Sequence, residues 1–298
     1  MLQNTLQQGL TLDAKVRYIF VEASDIAETA RKRHNLDPIS TRYCAESIAA
    51  SLLLASQIKG DERITVQIVS ETPKCSVLCD INAQGAIRAK ISPPDMVTSI
   101  RQLQKESKLS EFRFQLHGYM VTIKHNKYQE IYRGITEIEN QTITEALQHY
   151  FQQSAQIDCV MKIAVQQNTD GSIHAVTGIL LERYPESLEN PFATPEEFQE
   201  VYSTIHTMPD HQFMEQLQHQ KLCAHPLFTL EKQDVFWQCS CSAEKIDAML
   251  CSLGIRELES ILAEEGQAEI ICEFCSEKYS YNAKDLQNLL LSLKEKSN

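Results

Sequence analysis

The chain has 298 residues, 43% of them hydrophobic and 23% charged, with ten cysteines and a formal net charge of −12. That is enough apolar material for one large domain and a smaller one. The negative charge argues against nucleic-acid binding, which needs a surplus of Lys and Arg on the docking face. Met1 to Phe20 interleaves Asn4, Gln7, Asp13, Lys15 and Arg17 among its apolar residues, and the longest apolar run, Ile48 to Ala55, is interrupted by Ser51. Neither a secretory leader nor a membrane span is expected, and the cytoplasm is the expected compartment. There, clustered cysteines point to metal binding or redox sensing rather than to a disulfide framework.

The fold class read from the pattern is α+β, with a mixed helix and sheet core over residues 1–184, a helical linker over 185–238 and a small zinc-binding domain over 239–298. After Asp37 and Pro38, Ser40 to Lys59 is rich in Ala, Leu and Ile and stops at Gly60, which predicts a long, largely buried helix. Alternation at Ile64, Val66 and Ile68, again at Phe112, Phe114 and Leu116, and again at Cys159, Met161, Ile163 and Val165 predicts strands. The last of these reads as a hairpin turning at Asn168 to Gly171 and returning through Ile173 to Leu181. Between strands, Ile143, Ala146, Leu147, Tyr150 and Phe151 make one helical stripe within Thr142 to Gln153. Cys44, Cys75, Cys79 and Cys159 are read as small buried hydrophobes.

From Tyr184 to Gln238, Pro185, Pro191, Pro195, Pro209 and Pro226 break the chain repeatedly and no convincing strand is seen. Thr194, Pro195 and Glu197 form a capping box ahead of an apolar stripe at Phe198, Val201, Tyr202 and Ile205. Nine acidic residues against Lys221 and Lys232 make the segment amphipathic and self-repelling. By itself it reads more readily as an ordinary, permanently docked connector, and the cysteine motif that follows shifts that balance.

The chemistry sits further on. Cys239-Ser240-Cys241 is followed after thirty residues by Cys272-Glu273-Phe274-Cys275. Two close cysteine pairs around a short structured insert are a metal-site pattern, and zinc takes four thiolates in a tetrahedron. The insert predicts one helix through Ile246, Met249, Leu250 and Leu253 to Gly254 and a second through Leu258, Ile261 and Leu262 to Gly266. A strand at Ala268 to Ile271, another at Tyr279 to Tyr281 and a last helix through Leu286, Leu289, Leu290 and Leu293 complete it. So small a unit depends on its metal to fold. A purely structural knuckle is the bland alternative. Against it, a disulfide between Cys239 and Cys241, two residues apart, would be strained and comparatively reducible, and CxxC is a spacing common in redox-active pairs. Cys251 is read as core packing, while Cys223 and His225 stay unassigned.

The stretch FWQCSCSAEKIDAMLCSLGIRELESILAEEGQAEIICEFCSEKYSYNAKDL resembles the carboxy-terminal redox-switch domain of the thirty-three-kilodalton heat-shock protein family. Weaker echoes run through AESIAASLLLASQIKGDERITVQI, YFQQSAQID and TGILLERYP. Departures occur at Ser154-Ala155-Gln156, Thr177-Gly178 and Arg88-Ala89, none of them at the cysteines. The resemblance implies a redox-regulated, ATP-independent holdase that is not an enzyme. In this reading one zinc per chain is bound by Cys239, Cys241, Cys272 and Cys275 in the reduced form. Oxidation of those cysteines to disulfides would release zinc, unfold the switch domain, loosen the linker and expose apolar surface to unfolding client proteins, commonly in a homodimer. Two rival readings fit the sequence less well. A nucleic-acid-binding zinc ribbon is disfavoured by eleven acidic residues against six basic ones from Cys239 onward. A thiol-disulfide oxidoreductase using Cys272 and Cys275 lacks the expected βαβ context.

Overall fold

The computed structural model describes residues 4–11, 16–98, 115–155, 159–183, 195–222 and 225–296. In chain order its elements begin with β1 (Thr5–Thr11), β2 (Val16–Glu22), α1 (Ser24–His34), α2 (Pro38–Ala55), β3 (Arg63–Thr72), β4 (Lys74–Asn82) and β5 (Ala86–Ser92). β6 (Leu116–His125), β7 (Glu130–Gln141), α3 (Ile143–Tyr150), β8 (Cys159–Gln167), β9 (Ile173–Arg183), α4 (Pro195–Thr207) and α5 (Asp210–Gln218) follow. Then come β10 (Lys221–Leu222), β11 (His225–Asp234), β12 (Phe236–Trp237), α6 (Ala243–Ser252), α7 (Ile255–Glu264), β13 (Gln267–Ile271), β14 (Lys278–Asn282) and α8 (Ala283–Lys296). Contacts divide the chain into two compact units, Met1–Gln238 and Cys239–Asn298.

The first unit holds two six-stranded sheets, ordered β10-β11-β1-β2-β9-β8 and β12-β5-β4-β3-β6-β7. Helix α2 touches β2, β8 and β9 of one sheet and β3, β4 and β5 of the other. A helix that meets apolar surface on all sides must itself be apolar on all sides, and α2 buries residues around its whole circumference, with Ser47, Ala50 and Ser51 allowing close approach. Its start is set by the Asp37 carboxylate, which accepts from the backbone of Ile39 at 2.7 Å and Ser40 at 2.9 Å, with Pro38 in the first turn. The helix runs from Pro38 to Ala55 rather than from Ser40 to Lys59; Gly60, at φ +63°, falls in the turn beyond it.

The strands expected at Ile64 to Ile68 and Cys159 to Val165 are β3 and β8, and β9 returns as the hairpin partner of β8. Leu116 opens β6, whereas Phe112 and Phe114 lie outside the described residues. Thr142 caps α3 in a capping box with Glu145, and a π-helical turn over Phe151–Ala155 continues it.

The segment read as helical is helical only through Gln218. Beyond it, β10, β11 and β12 form where no strand was expected. The reason is backbone pairing rather than burial. β11 runs antiparallel to β1 over Leu227 to Asp234 while most of its side chains stay exposed, so its apolar pattern carries almost no strand signal. β12 is two residues long and pairs in parallel with β5. Of the stripe on α4, Ile205 is covered and Val201 and Tyr202 partly so, while the side chain of Phe198 lies outside the described residues; Ile205, with Met208, Phe213, Met214 and Leu217, packs on the outer face of β2, β8 and β9, against Val16, Tyr18, Val160, Ile179 and Leu181. The capping residue Thr194 lies outside the described residues.

In the second unit the apolar centre is small, with Ile246, Leu250, Leu258, Leu286 and Leu290 buried. Met249 and Leu253, expected in the same stripe, are 45% and 49% exposed, because α6 turns only one narrow face inward. Among the described residues no helix is long and apolar enough to cross a membrane.

Candidate metal centre

Each cysteine pair reaches the centre by a different local device. Cys239 and Cys241 occupy the extended stretch before α6, which Ser242 caps by accepting from the Lys245 backbone. The Lys245 ammonium reaches back to the Ser240 carbonyl and so ties the loop between the two sulfurs to the first turn of the helix. Cys272 and Cys275 form the turn of the β13–β14 hairpin. There the Cys272 amide donates to the Glu277 carbonyl at 2.9 Å, its carbonyl accepts from Ser276 at 2.8 Å, and Ser276 takes φ +57° to close the turn. Positive φ at a non-glycine residue is uncommon, and here the hairpin's paired strands impose it.

The four Sγ atoms converge to within 4.8 Å of one another, an arrangement able to hold a metal ion. Cys239 and Cys272 are 3.7 Å apart and Cys241 and Cys275 3.3 Å. A tetrahedral ion with metal–sulfur bonds of about 2.3 Å needs sulfurs about 3.8 Å apart, so the set fits such an ion with little adjustment. Desolvation pushes the Cys275 thiol up, the Glu277 backbone opposes it, and the three neighbouring sulfurs push it further. The Cys241 thiol is also raised, first by desolvation. A cation at the centre of the four sulfurs reverses that preference, because it favours the thiolates that neutral surroundings disfavour.

Two outer contacts steady the set. The Tyr279 hydroxyl donates to Cys241, which holds the phenol well above its ordinary range. Tyr281 donates to Asp247 at 2.7 Å and links β14 to α6. Such second-sphere partners orient ligands. In the sequence Tyr279 shows only as a strand residue; its role depends on hairpin register, where Ile270 lies opposite it.

The remaining cysteines separate cleanly. Cys44, Cys75, Cys79 and Cys159 are buried, as expected. Burial pushes the Cys75 thiol up to about 11 and Cys79 up to about 12, and raises Cys44 well above its ordinary value. These are poor nucleophiles at neutral pH, in keeping with a packing role. Cys251 is half-buried on α6 rather than part of the small core, because only the face through Ile246 and Leu250 points inward. Cys223 and the side chain of His225 lie outside the described residues.

The family model described as Hsp33 protein matches residues 4–282, almost the whole chain. The chain belongs to the Hsp33 family. Curated relatives named 33 kDa chaperonin include one from Desulforamulus reducens, 26% identical over 99% of this chain and 100% of its own length, and one from Bacillus cereus, 27% identical over 98% and 100%. The crystal structure of a 33 kDa chaperonin from Thermotoga maritima shares the fold, with a TM-score of 0.83 over 98% of this chain and 99% of that one at 21% identity. Ala89 is fully buried opposite Cys79, and Arg88 pairs with the buried Asp80 at 2.8 Å. At Gly178 a Cβ would meet Val21 at 3.1 Å, closer than ordinary contact.

Proposed function

We propose that this chain is a redox-regulated, ATP-independent holdase whose switch is a zinc site at Cys239, Cys241, Cys272 and Cys275. The convergence of four sulfurs in a unit with so small an apolar centre carries the reading, and family membership supports it. When bound, zinc keeps the four sulfurs as thiolates and ties the α6 loop to the β13–β14 turn, worth about 10–16 kcal/mol of apparent folding energy in small peptides. Each disulfide then forms from two thiolates, whose two electrons pass to a peroxide-class oxidant; its O–O bond breaks and the oxygens leave as water after taking up protons. Two such steps consume all four ligands, and the unit loses the cross-link that its five buried side chains cannot replace.

The linker is the proposed second stage. Cys239 follows β12 after the single residue Gln238, and the backbone bonds of β12 and Gln238 to the β5 segment include the Phe236 amide to the Gly85 carbonyl at 3.0 Å and the Gln238 amide to the Ile87 carbonyl at 2.9 Å. Once the chain beyond it is disordered, so short a strand frays readily. Loss of α4 and α5 would uncover the apolar face of β2, β8 and β9, which presents Tyr18, Val160, Ile179 and Leu181 to unfolding proteins. In this reading the working compartment is the reducing cytoplasm, and the active form pairs with a second copy.

The test follows zinc release with a chromogenic chelator alongside suppression of aggregation of a heat-denatured protein, before oxidation, after it, and after reduction with zinc restored. The expected result is about one zinc lost per chain with holdase activity gained in step, both reversible. Zinc loss without client holding would leave the site structural and the functional reading wrong.

A further inference from the structure

A cavity of about 510 Å³ lies where α4 and α5 meet α2, α3 and β8. Six ionisable side chains line it: Arg42 and Glu46 from α2, Glu145 from α3, Lys162 from β8, His206 from α4 and Asp210 from α5. Arg42 holds Glu46 at 3.0 Å and Lys162 lies 3.2 Å from Asp210, so each cation has one carboxylate. Glu145 is the third carboxylate, engaged with the cap of its own helix through the Thr142 amide at 2.7 Å and hydroxyl at 3.0 Å. With His206 counted neutral, this seam carries one negative charge in excess. Glu46 is the most enclosed of the three acids, its side chain 12% exposed against 42% for Asp210, while Glu145 is open to solvent. An enclosed carboxylate facing other carboxylates is where a proton binds most readily.

We propose that closure of the α4–α5 cover is linked to a proton on Glu46: the closed form takes one up from water and the open form returns it. This rests on the reading of α4 and α5 as a releasable cover and adds a second control to it. Two of the groups facing Glu46, Asp210 and His206, travel with the cover, whereas Arg42, Glu145 and Lys162 stay with the core. Opening therefore removes the opposing Asp210 charge and admits water, and both changes favour the ionised carboxylate. The closed form shows the matching direction: burial raises the Glu46 carboxyl, Arg42 lowers it and Asp210 raises it again, which leaves it above its ordinary value. A carboxyl raised in the closed form favours closure as pH falls through the raised value, and that gain is complete only below the ordinary one, about 4.3. Mild acid thus tightens the cover, and neutral to alkaline conditions loosen it. Protonation of His206 would act in the same direction, by adding a cation to a seam with excess negative charge, so the two groups are separated by mutation.

Hydrogen exchange on the full, reduced, zinc-loaded chain at about pH 5.5, 6.5 and 7.5, corrected for the intrinsic pH dependence of amide exchange, tests this. Opening of 195–222 relative to the β8–β9 hairpin should rise at least about threefold from the lowest pH to the highest, within the ceiling of about tenfold per pH unit that one proton allows. Glu46→Gln, uncharged at every pH and still able to accept from Arg42, should hold that ratio within about 1.5-fold. Asp210→Asn removes the charge that travels with the cover and should reduce the rise without abolishing it, whereas His206→Asn should leave it as in wild type. A flat wild-type profile, a wild-type rise in Glu46→Gln, or a rise lost in His206→Asn would each overturn the link. Circular dichroism checks folding. If Glu46→Gln is unfolded, Asp210→Asn at the partly exposed start of α5 decides, and an unchanged rise there counts against the link; the slope with pH is read rather than the level, so the lost Lys162 contact does not enter. Zinc release and client holding after oxidation, followed on the same samples, are separate readouts: if client holding never appears while the pH profile stands, the switch fails and the proton link remains.

Discussion

If α4 and α5 are a releasable cover, the group that clasps them should set how often they open, and the structure identifies that group as Lys162 on β8. Its side chain is 13% exposed, and its ammonium donates to the Met208 carbonyl at 2.7 Å, lies 3.2 Å from Asp210 and sits 5.5 Å from the centre of the Phe213 ring. One nearly buried cation thus holds the end of α4, the start of α5 and an anchor side chain of α5. Replacing it in Lys162→Met keeps most of the apolar stem and removes the charge. A charge-assisted hydrogen bond contributes about 1.5–3 kcal/mol and the ring contact about 0.5–1. The ion pair adds at most a few tenths, because Asp210 is 42% exposed and solvent screens it. Asp210 would also be left near Glu46, whose carboxyl is raised first by burial, lowered by Arg42 and raised again by Asp210. With the methionine recovering some burial energy, the net loss is about 2 kcal/mol, or about a 30-fold rise in the open population of the helical pair. Hydrogen exchange on reduced, zinc-loaded protein should show peptides from 195–222 exchanging faster by about that factor while the β8–β9 hairpin is unchanged. Reduced protein should also gain measurable client holding. Protection within about threefold of wild type would refute the clasp.

Other outcomes follow from the same geometry. Cys239→Ser should abolish stoichiometric zinc binding, since a closed tetrahedral site needs all four sulfurs, whereas Cys251→Ser should bind about one zinc as wild type does; a metal assay on purified protein decides both. Trp237 is the chain's one tryptophan and packs against the main core within β12, edge-on to His34 at 6.3 Å, so its emission should shift to the red when oxidation or a chelator removes the metal. An unmoved spectrum with zinc gone would show that β12 does not fray. Asp80 is raised by burial but lowered further by Arg63, bonded at 2.7 Å, and by Arg88, so its folded pKa lies below the usual value. A depressed carboxyl contributes stability that is present above its unfolded pKa, near 3.9, and lost as pH falls through the folded one. Asp80→Asn should therefore flatten the acid limb of a denaturation series. Near neutral pH it should cost about 2 kcal/mol, a buried-pair figure reduced because both arginines are partly exposed. An acid limb as steep as that of wild type would assign the effect elsewhere.

Much was legible in the sequence where one local rule sufficed. The long buried helix after Asp37-Pro38, the β8–β9 hairpin, the helical stripe from Ile143 and the order of helices and strands in the last sixty residues all follow from side-chain period and terminal signals that act within a few residues. The four cysteines were legible for the same reason: their spacing fits a tetrahedral ion whatever the rest of the chain does. What escaped was set by partners distant in sequence. β11 exists because β1, more than two hundred residues earlier, leaves an edge to be paired, and exposed side chains record nothing of that. Which face of α6 turns inward, leaving Met249 in water, depends on where α7 and α8 lie. Lys162 and Tyr279 gain their roles only when the fold brings Met208, Asp210 or Cys241 to them. Sequence alone pointed to the four cysteines that the fold brings together and to the local elements, since propensity, capping and cysteine spacing are properties of short segments. Tertiary structure alone decided which apolar faces are covered, which cation clasps the cover and which charges meet at its seam, because these are properties of pairs of surfaces that no single segment encodes.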